Sequence, residues 1–240
     1  MSMRYKGGVI SATAPTTSAS AASGVWTLPQ QMQALVAGNW PLPPPSVIGQ
    51  AFGGGYYAGQ IGVGGVATHY IIVGPVASAE SSSIRYKNAN TAATGADSVI
   101  DGPQNTADMV ADGSSTVYPA AHFCNDLVIG GFSDWYMPAK NELEVCYYNL
   151  KPTIDSNVSD GINTNAVPER TSNYTSGTPA QTSATDFKDT GAEDFTAVFY
   201  WASTEATTTR AWFQTFYDGN QDNDNKSGLY RVRAIRRVAV

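Results

Sequence analysis

Cysteine is almost missing from this chain: 240 residues hold two, Cys124 and Cys146. That excludes a disulfide framework, and without Cys-x-x-Cys spacing the two read as buried free thiols or one bridge at most. Histidine is equally scarce, with only His69 and His122, so a zinc centre or a histidine-based triad has little to be built from. Charge is thin too. Charged residues make up 14% and the net charge is -6, which leaves no broad basic field for nucleic acid or an anionic membrane surface. No apolar run reaches the ~18 residues of a membrane-crossing helix, and the first twenty residues lack the hydrophobic stretch of a signal peptide. The expectation is a soluble chain made in a cytosol, with no membrane insertion and no nucleic-acid partner.

What is present suits a packed but loop-rich fold. Hydrophobic residues reach 42% and aromatics 11%, with 23 glycines, enough for a core but not for long helices to dominate. The Ser/Thr/Ala tract at 11–24 cannot bury enough apolar surface to fold alone and reads as a connector. After it, TLPQQMQALVAGN offers Thr27 as a cap, Pro29 in the first turn and Leu28, Met32, Leu35 and Val36 at helical spacing, a helix of about three turns. PLPPPS at 41–46 then forces an extended strut. These features set residues 1–48 apart as a linker segment with a short helix and 49–240 as the domain.

Within the domain, AFGGGYYAGQI and ATHYIIVGP read as a glycine-punctuated β-hairpin. The string GVGGVA between them matches a dinucleotide fingerprint formally, but it leads into a strand, not into the helix N-terminus that phosphate binding needs. Residues 104–127 carry helical spacings, and NELEVCYYNL after Pro138 is a second helix with Leu143, Cys146, Tyr147 and Leu150 on one face. Residues 153–191 form a long loop that must be pinned by its neighbours. AVFYWAST, AWFQTFY and LYRVRAIRRV supply the closing strands. Strand parity splits Arg231, Arg233 and Arg237 from Arg236, so the arginines pair with local acids and do not form one phosphate-binding face.

Few residues suggest chemistry. In the polar stretch YDGNQDNDNKSG, Asp218, Asn220, Asp222 and Asp224 occupy the odd places of a calcium loop, but Asn223 stands where Gly is needed and Leu229 where a bidentate Glu is needed. A polar loop joining two strands is the plainer reading. His69 on its strand and His122 beside Cys124 read as structural. Glu142 and Glu144, two apart on a helix, do not face each other. Glu142 suits the helix start, and Glu205 reads as a buried acceptor fixing a turn.

The motifs GGFSDWYMPAKNELEVCYYNLKP and YWASTEATTTRAWFQTFYDGNQDNDNKSGLYRVRAIRRV, with GGGYYAGQI, YIIVGP, SVIDGP and AAHFCND before them, resemble the C-type-lectin-like domain of phage tail proteins. That family is similar to the variable proteins of diversity-generating retroelements and distantly to formylglycine-generating enzymes. Trp135, Pro138 and Glu142 match its D-W-x-x-P-x-x-x-E signature, and Trp201, Ser203, Thr204 and Glu205 its W-x-S-T-E turn. Residues 7–41, GGVISATAPTTSASAASGVWTLPQQMQALVAGNWP, separately resemble a segment found in structural proteins of tailed phages. The resemblance implies an α+β fold of irregular antiparallel sheets with two helices and long loops, preceded by the attachment segment. It also implies a virion adhesin that binds a host-surface protein or glycan, contacts other tail proteins and assembles as a homotrimer. Positions that change in variable relatives fall here on Ala206, Thr208, Arg210, Tyr217, Asn220, Asp222, Asp224, Ser227, Leu229 and Tyr230, the expected ligand-binding face. Aromatic edges around small polar residues are also the chemistry of antibody paratopes. The Glu-Pro-Asn and Trp-Asn-Asp patterns of calcium-dependent sugar binding are not found, nor are paired catalytic cysteines, so no metal, cofactor or enzymatic activity is expected.

Overall fold

The computed structural model describes residues 27–36 and 44–240, and the chain divides into two compact units, Met1–Pro44 and Pro45–Val240. The described part of the first is helix α1 (Leu28–Val36). Gln30 Oε1 accepts from the Thr27 N–H at 2.9 Å and from Thr27 Oγ1 at 2.8 Å, half of a capping box at the expected start. Leu28 and Met32, one turn apart, are exposed. The tract at 11–24 and residues 41–43 of the proline strut lie outside the described residues.

The second unit is α+β. Strands β1 (Ala51–Phe52), β2 (Gly55–Val63) and β3 (Val66–Val73) open it, then α2 (Val76–Ala79) and β4 (Glu80–Ile84). Three helices follow, α3 (Gly102–Asp112), α4 (Pro119–Asn125) and α5 (Lys140–Leu150), and the short β5 (Ala166–Val167) interrupts the long loop. The chain closes with β6 (Phe199–Thr207), β7 (Arg210–Thr215), β8 (Gln221–Asn225), β9 (Tyr230–Arg233) and β10 (Ile235–Ala239). One sheet runs β1-β2-β3-β10 with β5 on β2, the other β4-β9-β6-β7-β8. Between β9 and β10 the chain passes from one sheet to the other at Ala234, whose N–H donates to Ala79 at 2.8 Å and whose carbonyl accepts from Gly74 at 3.0 Å. The C-terminal strand thus lies beside the first hairpin, Ile235 opposite Val73.

The dinucleotide-like string is the tip of that hairpin. Gly64 and Gly65 have φ of 59° and 75° between the paired Val63 and Val66, the two left-handed positions a tight turn requires. The expected first helix at 104–127 is two helices. Gly113 N–H closes α3 on the Met109 carbonyl at 3.2 Å, His122 Nε2 lies 2.7 Å from the Gly113 carbonyl, and Pro119 starts α4 afresh. The fold therefore carries more helices than the two expected.

Two cores flank the second sheet. One joins Trp201, Phe213 and Val232 to Met109, Tyr118 and Cys124 of the α3–α4 side. The other joins Tyr200, Ala202 and Phe216 to α5 and the hairpin. Helix α5 is buried nearly all round, Glu142, Glu144 and Val145 included with the expected apolar face. Both cysteines are free and buried, and burial raises both thiols, which leaves them unreactive.

The arginines pair as expected, although with acids distant in sequence. Arg231 meets Glu80 at 2.6 Å, Arg233 meets Glu193 at 2.9 Å, Arg236 meets Asp134 at 2.7 Å and Arg237 meets Glu142 at 2.6 Å. The long loop is likewise pinned. Buried Glu144 accepts from Arg170 Nε at 2.9 Å, from the Tyr174 hydroxyl at 2.5 Å and from Asn163 Nδ2 at 2.6 Å.

Candidate ligand-binding face

The two signatures are built into the scaffold. Trp135, Pro138, Trp201, Ser203 and Thr204 are buried. Thr204 Oγ1 accepts from the Lys140 N–H at 2.9 Å and donates to Ser98 at 2.8 Å, tying β6 to the start of α5. Glu205 is the acceptor expected of it: it takes the Ala93 N–H and, at 2.6 Å, the ammonium of buried Lys226. Lys226 also donates to the carbonyls of Thr91 at 2.8 Å and Thr208 at 3.0 Å. One buried cation therefore anchors three surface loops, and burial pulls its pKa down.

On this frame the sheet presents an aromatic floor. Phe199 and Trp201 of β6 share parity, and with Phe213 of β7 and Tyr230 of β9 they form a cluster with centroids 5.2 Å (Phe199–Phe213), 5.0 Å (Phe199–Tyr230) and 4.5 Å (Trp201–Tyr230) apart. Trp201 is fully buried while Phe199 is 37% exposed, so the cluster opens to solvent at Phe199. The Tyr230 hydroxyl donates to Asp224 Oδ2 at 2.6 Å. β6 and β7 separate β9 from β8, and at about 4.8 Å per strand a flat sheet would hold those residues roughly 14 Å apart. The long tyrosine side chain spans most of that distance and the bond fits a curled sheet, in which β6 and β7 pair with a register break between Trp201 and Glu205. Tyr230 is pushed up by burial and by Asp224, and Asp224 is held below the usual carboxylate range first by that hydroxyl.

The polar stretch taken as a loop contains an edge strand. β8 pairs with β7, Asp222 opposite Phe213 and Asp224 opposite Ala211, despite the poor strand propensity of Asn and Asp. Pairing overrides propensity because every second N–H finds a carboxylate: Gln221 donates to Asp160 at 2.7 Å, Asn223 to Asp222 at 2.8 Å and Asn225 to Asp224 at 2.7 Å.

The ten candidate positions are thus distributed, not gathered into one spot. Asp222, Asp224 and Tyr230 meet at the aromatic floor, with Leu229, 56% exposed, next in the chain. Half-buried Ala206 is the last residue but one of β6, Thr208 sits in the β6–β7 turn, and Arg210 Nη1 donates to the Asn223 carbonyl at 3.2 Å. Ser227 donates its N–H to Asn90 at 3.0 Å and accepts from Arg85 Nε at 3.0 Å. Tyr217 and Asn220 lie in the β7–β8 connection, at the other end of β7 from Arg210, roughly 17 Å away along the strand. Sequence reasoning missed Phe199 and Phe213, although the alternation in VFYWAST already put Phe199 and Trp201 on one face. Asn90 and Arg85 gave no sequence signal as partners of Ser227, nor Lys226 as a partner of Thr208, because tertiary approach alone brings each pair together.

The model of the Lcl C-terminal domain family matches residues 87–236, which contain both signatures and all ten positions. No curated protein matches. Among solved structures, a fimbrial protein from Bacteroides ovatus is similar at 12% identity over 71% of this chain and 35% of that one, with a TM-score of 0.38. The chain therefore spans about a third of that protein's length.

Proposed function

The chain belongs to the Lcl C-terminal domain family, and from that premise we propose that it is a non-catalytic adhesin of a virion, a receptor-binding or tail-fibre tip protein with a C-type-lectin-like fold. Its ligand, a host-surface protein or glycan, is met by the curled face of β9-β6-β7-β8. The observation that carries the reading is the open aromatic floor at Phe199 and Tyr230, rimmed by Asp222, Asp224 and Leu229 on a rigid frame. Rigid aromatics give contact area at little entropic cost, and small polar neighbours adapt their hydrogen bonds. A non-catalytic role is supported by the glutamates of the two signatures and α5: Glu142, Glu144 and Glu205 are each engaged by structural donors, which leaves none of these three poised to move a proton.

Attachment falls to residues 1–48, with a homotrimer joined through α1, whose exposed Leu28 and Met32 suit helix association. Several weak sites on one particle then act together. The test is binding of fluorescent full-length protein to a panel of bacterial strains, read by flow cytometry. Phe199→Ser and Asp222→Ala are expected to lower binding about tenfold while far-UV circular dichroism shows the fold retained, with a modest drop in melting temperature from the lost ring contacts and edge cap. Binding that survives both, or a face covered by a neighbouring virion protein, would favour a structural decoration protein instead.

A further inference from the structure

Part of the long loop folds back beside α5 and encloses, with Tyr148, a cleft of about 250 Å³ lined by residues 169–174 and 178. Its backbone is fixed at three places. Arg170 donates its N–H to Asn163 at 3.0 Å and accepts from it at 2.8 Å, Tyr174 donates to the Asp160 carbonyl at 2.6 Å, and Thr175 and Thr178 close a turn at 3.1 and 3.2 Å. Two lining side chains are fixed as well, because buried Glu144 takes Arg170 Nε and Nη2 and the Tyr174 hydroxyl. The guanidinium lies over the Tyr148 ring, 4.1 Å from its centroid, and the Tyr148 and Tyr174 ring centroids are 6.2 Å apart. The walls therefore exist before any ligand arrives, which spares the cost of ordering them.

What these walls leave uncommitted selects the occupant. Glu169 is exposed, with no ion pair or hydrogen bond among the described residues, and the Tyr148 hydroxyl and Arg170 Nη1 are equally without a partner there. Thr178 adds an exposed hydroxyl, and Asn173 an amide that uses only Nδ2, on Ser159 at 3.3 Å. An acceptor-only carboxylate, a donor-only guanidinium edge and groups that do both thus meet beside two tyrosine rings. Arg170 is already neutralised by Glu144, so a sulfate or carboxylate would face Glu169 with no free cation to offset the repulsion. An ammonium drawn to Glu169 would lie beside the guanidinium, and a purely apolar ligand would strip water from the carboxylate without pairing it. We propose that the cleft binds one neutral hexose unit, its hydroxyls on Glu169, Arg170 Nη1 and the Tyr148 hydroxyl and its C–H face against the tyrosine wall. The volume lies below the roughly 300–1,000 Å³ of drug-sized ligand sites, which suits a single ring. None of these residues belongs to the aromatic floor, so this site stands or falls apart from the proposed adhesive face.

Saturation-transfer difference NMR of the full chain with the methyl glycosides of glucose, galactose and mannose, each titrated to about 50 mM, tests this. At least one is expected to bind with a Kd of roughly 1–10 mM. Glu169→Ala is expected to weaken that binding about fivefold and Tyr148→Phe, which keeps the ring under Arg170, about threefold, while Asp222→Ala at the aromatic floor leaves it unchanged. Far-UV circular dichroism checks that the variants keep the fold, as the exposed and unpartnered Glu169 predicts. The proposal is overturned if no glycoside binds, if Glu169→Ala binds as tightly as the parent, or if Asp222→Ala weakens binding as much. It is overturned equally if glucuronate, glucose 6-sulfate or free lysine binds more tightly than every neutral glycoside.

Discussion

Truncation of Glu142 to alanine separates a structural carboxylate from a catalytic one. Its Oε1 accepts from the Tyr136 hydroxyl at 2.5 Å and from Arg237 Nε at 2.6 Å, and its Oε2 from the N–H groups of Ala139 at 2.8 Å and Gly102 at 3.1 Å. The side chain is fully buried. Removal strands two backbone donors and a phenol, at about 1–3 kcal/mol for each buried group left unpaired. It also deprives Arg237 of its closest carboxylate; breaking a buried pair from one side costs about 3–5 kcal/mol. These terms overlap, because Arg237 keeps the Ile100 carbonyl and Asp101 at 3.5 Å. The expected loss is therefore about 4–6 kcal/mol, a large part of the roughly 5–15 kcal/mol of a typical domain. Urea unfolding followed by tryptophan fluorescence reads it as a lower midpoint at unchanged slope. Glu142→Gln, which turns an amide N–H toward one pair of donors, should fall between, and Glu142→Leu with Arg237→Met should recover only the part due to the unpaired guanidinium, because the Ala139 and Gly102 N–H groups and the Tyr136 phenol stay without an acceptor. A loss below about 1.5 kcal/mol for Glu142→Ala would refute the argument, because a carboxylate so dispensable to the fold would have to be kept for another purpose.

The Asp224–Tyr230 bond needs an ionised carboxyl and a neutral phenol. Asp224 is depressed, so its contribution is present above its unfolded pKa and lost as pH falls through the folded one; Tyr230 is raised, so its contribution is full below its unfolded value and lost as pH rises through the folded one. Stability against pH should thus lose its acid-side and alkaline-side shoulders together in Tyr230→Phe, and a parent-like profile would refute the assignment. Lys226→Met should cost about 3 kcal/mol and speed amide exchange at Ala93, whose N–H rests on Glu205; unchanged exchange would mean that the clamp does not hold the 89–93 loop. Gly219→Ala should cost more than about 1 kcal/mol, since φ is 81° and an added Cβ would meet the Tyr147 ring, and a neutral melting curve would contradict that geometry. Under the proposed adhesin function, sequencing this gene across one natural population should place substitutions among the exposed positions between Ala206 and Tyr230 and spare Ala211, Phe213 and Gln214, whereas uniform or silent variation would count against a selected binding face.

Local signals in the sequence carried as far as local physics reaches. Alternation in THYIIVG and VFYWAST, with glycines at the hairpin tip, specified strands because period and turn chemistry agreed. The face of α5 was legible in Leu143, Cys146, Tyr147 and Leu150, but the burial of Glu142 and Glu144 on the same helix was not, since it depends on Arg237 and Arg170 arriving from distant segments. Gly113 and Pro119 part α3 from α4 within 104–127, but helical spacing on both sides disguised two helices as one. The largest misreading concerned QDNDN, where composition favoured a loop and tertiary pairing with β7 produced a strand.

That strand also separates side chains that hold the face together from side chains that are free of such duties. An edge strand with free N–H groups invites pairing with other chains, and β8 avoids this by using carboxylates, two of them from its own Asp222 and Asp224, to occupy the outward donors. Asp224 therefore has two duties, capping Asn225 and latching Tyr230, and its replacement would loosen both the edge and the curl of the sheet. Asp222 has the lighter duty of capping Asn223 alone, with its carboxylate exposed. Leu229 is exposed and lies in the link between β8 and β9, outside both strands. A protein that must change its ligand without changing its fold can change Leu229 first, Asp222 with some cost at the edge, and Asp224 only together with Tyr230.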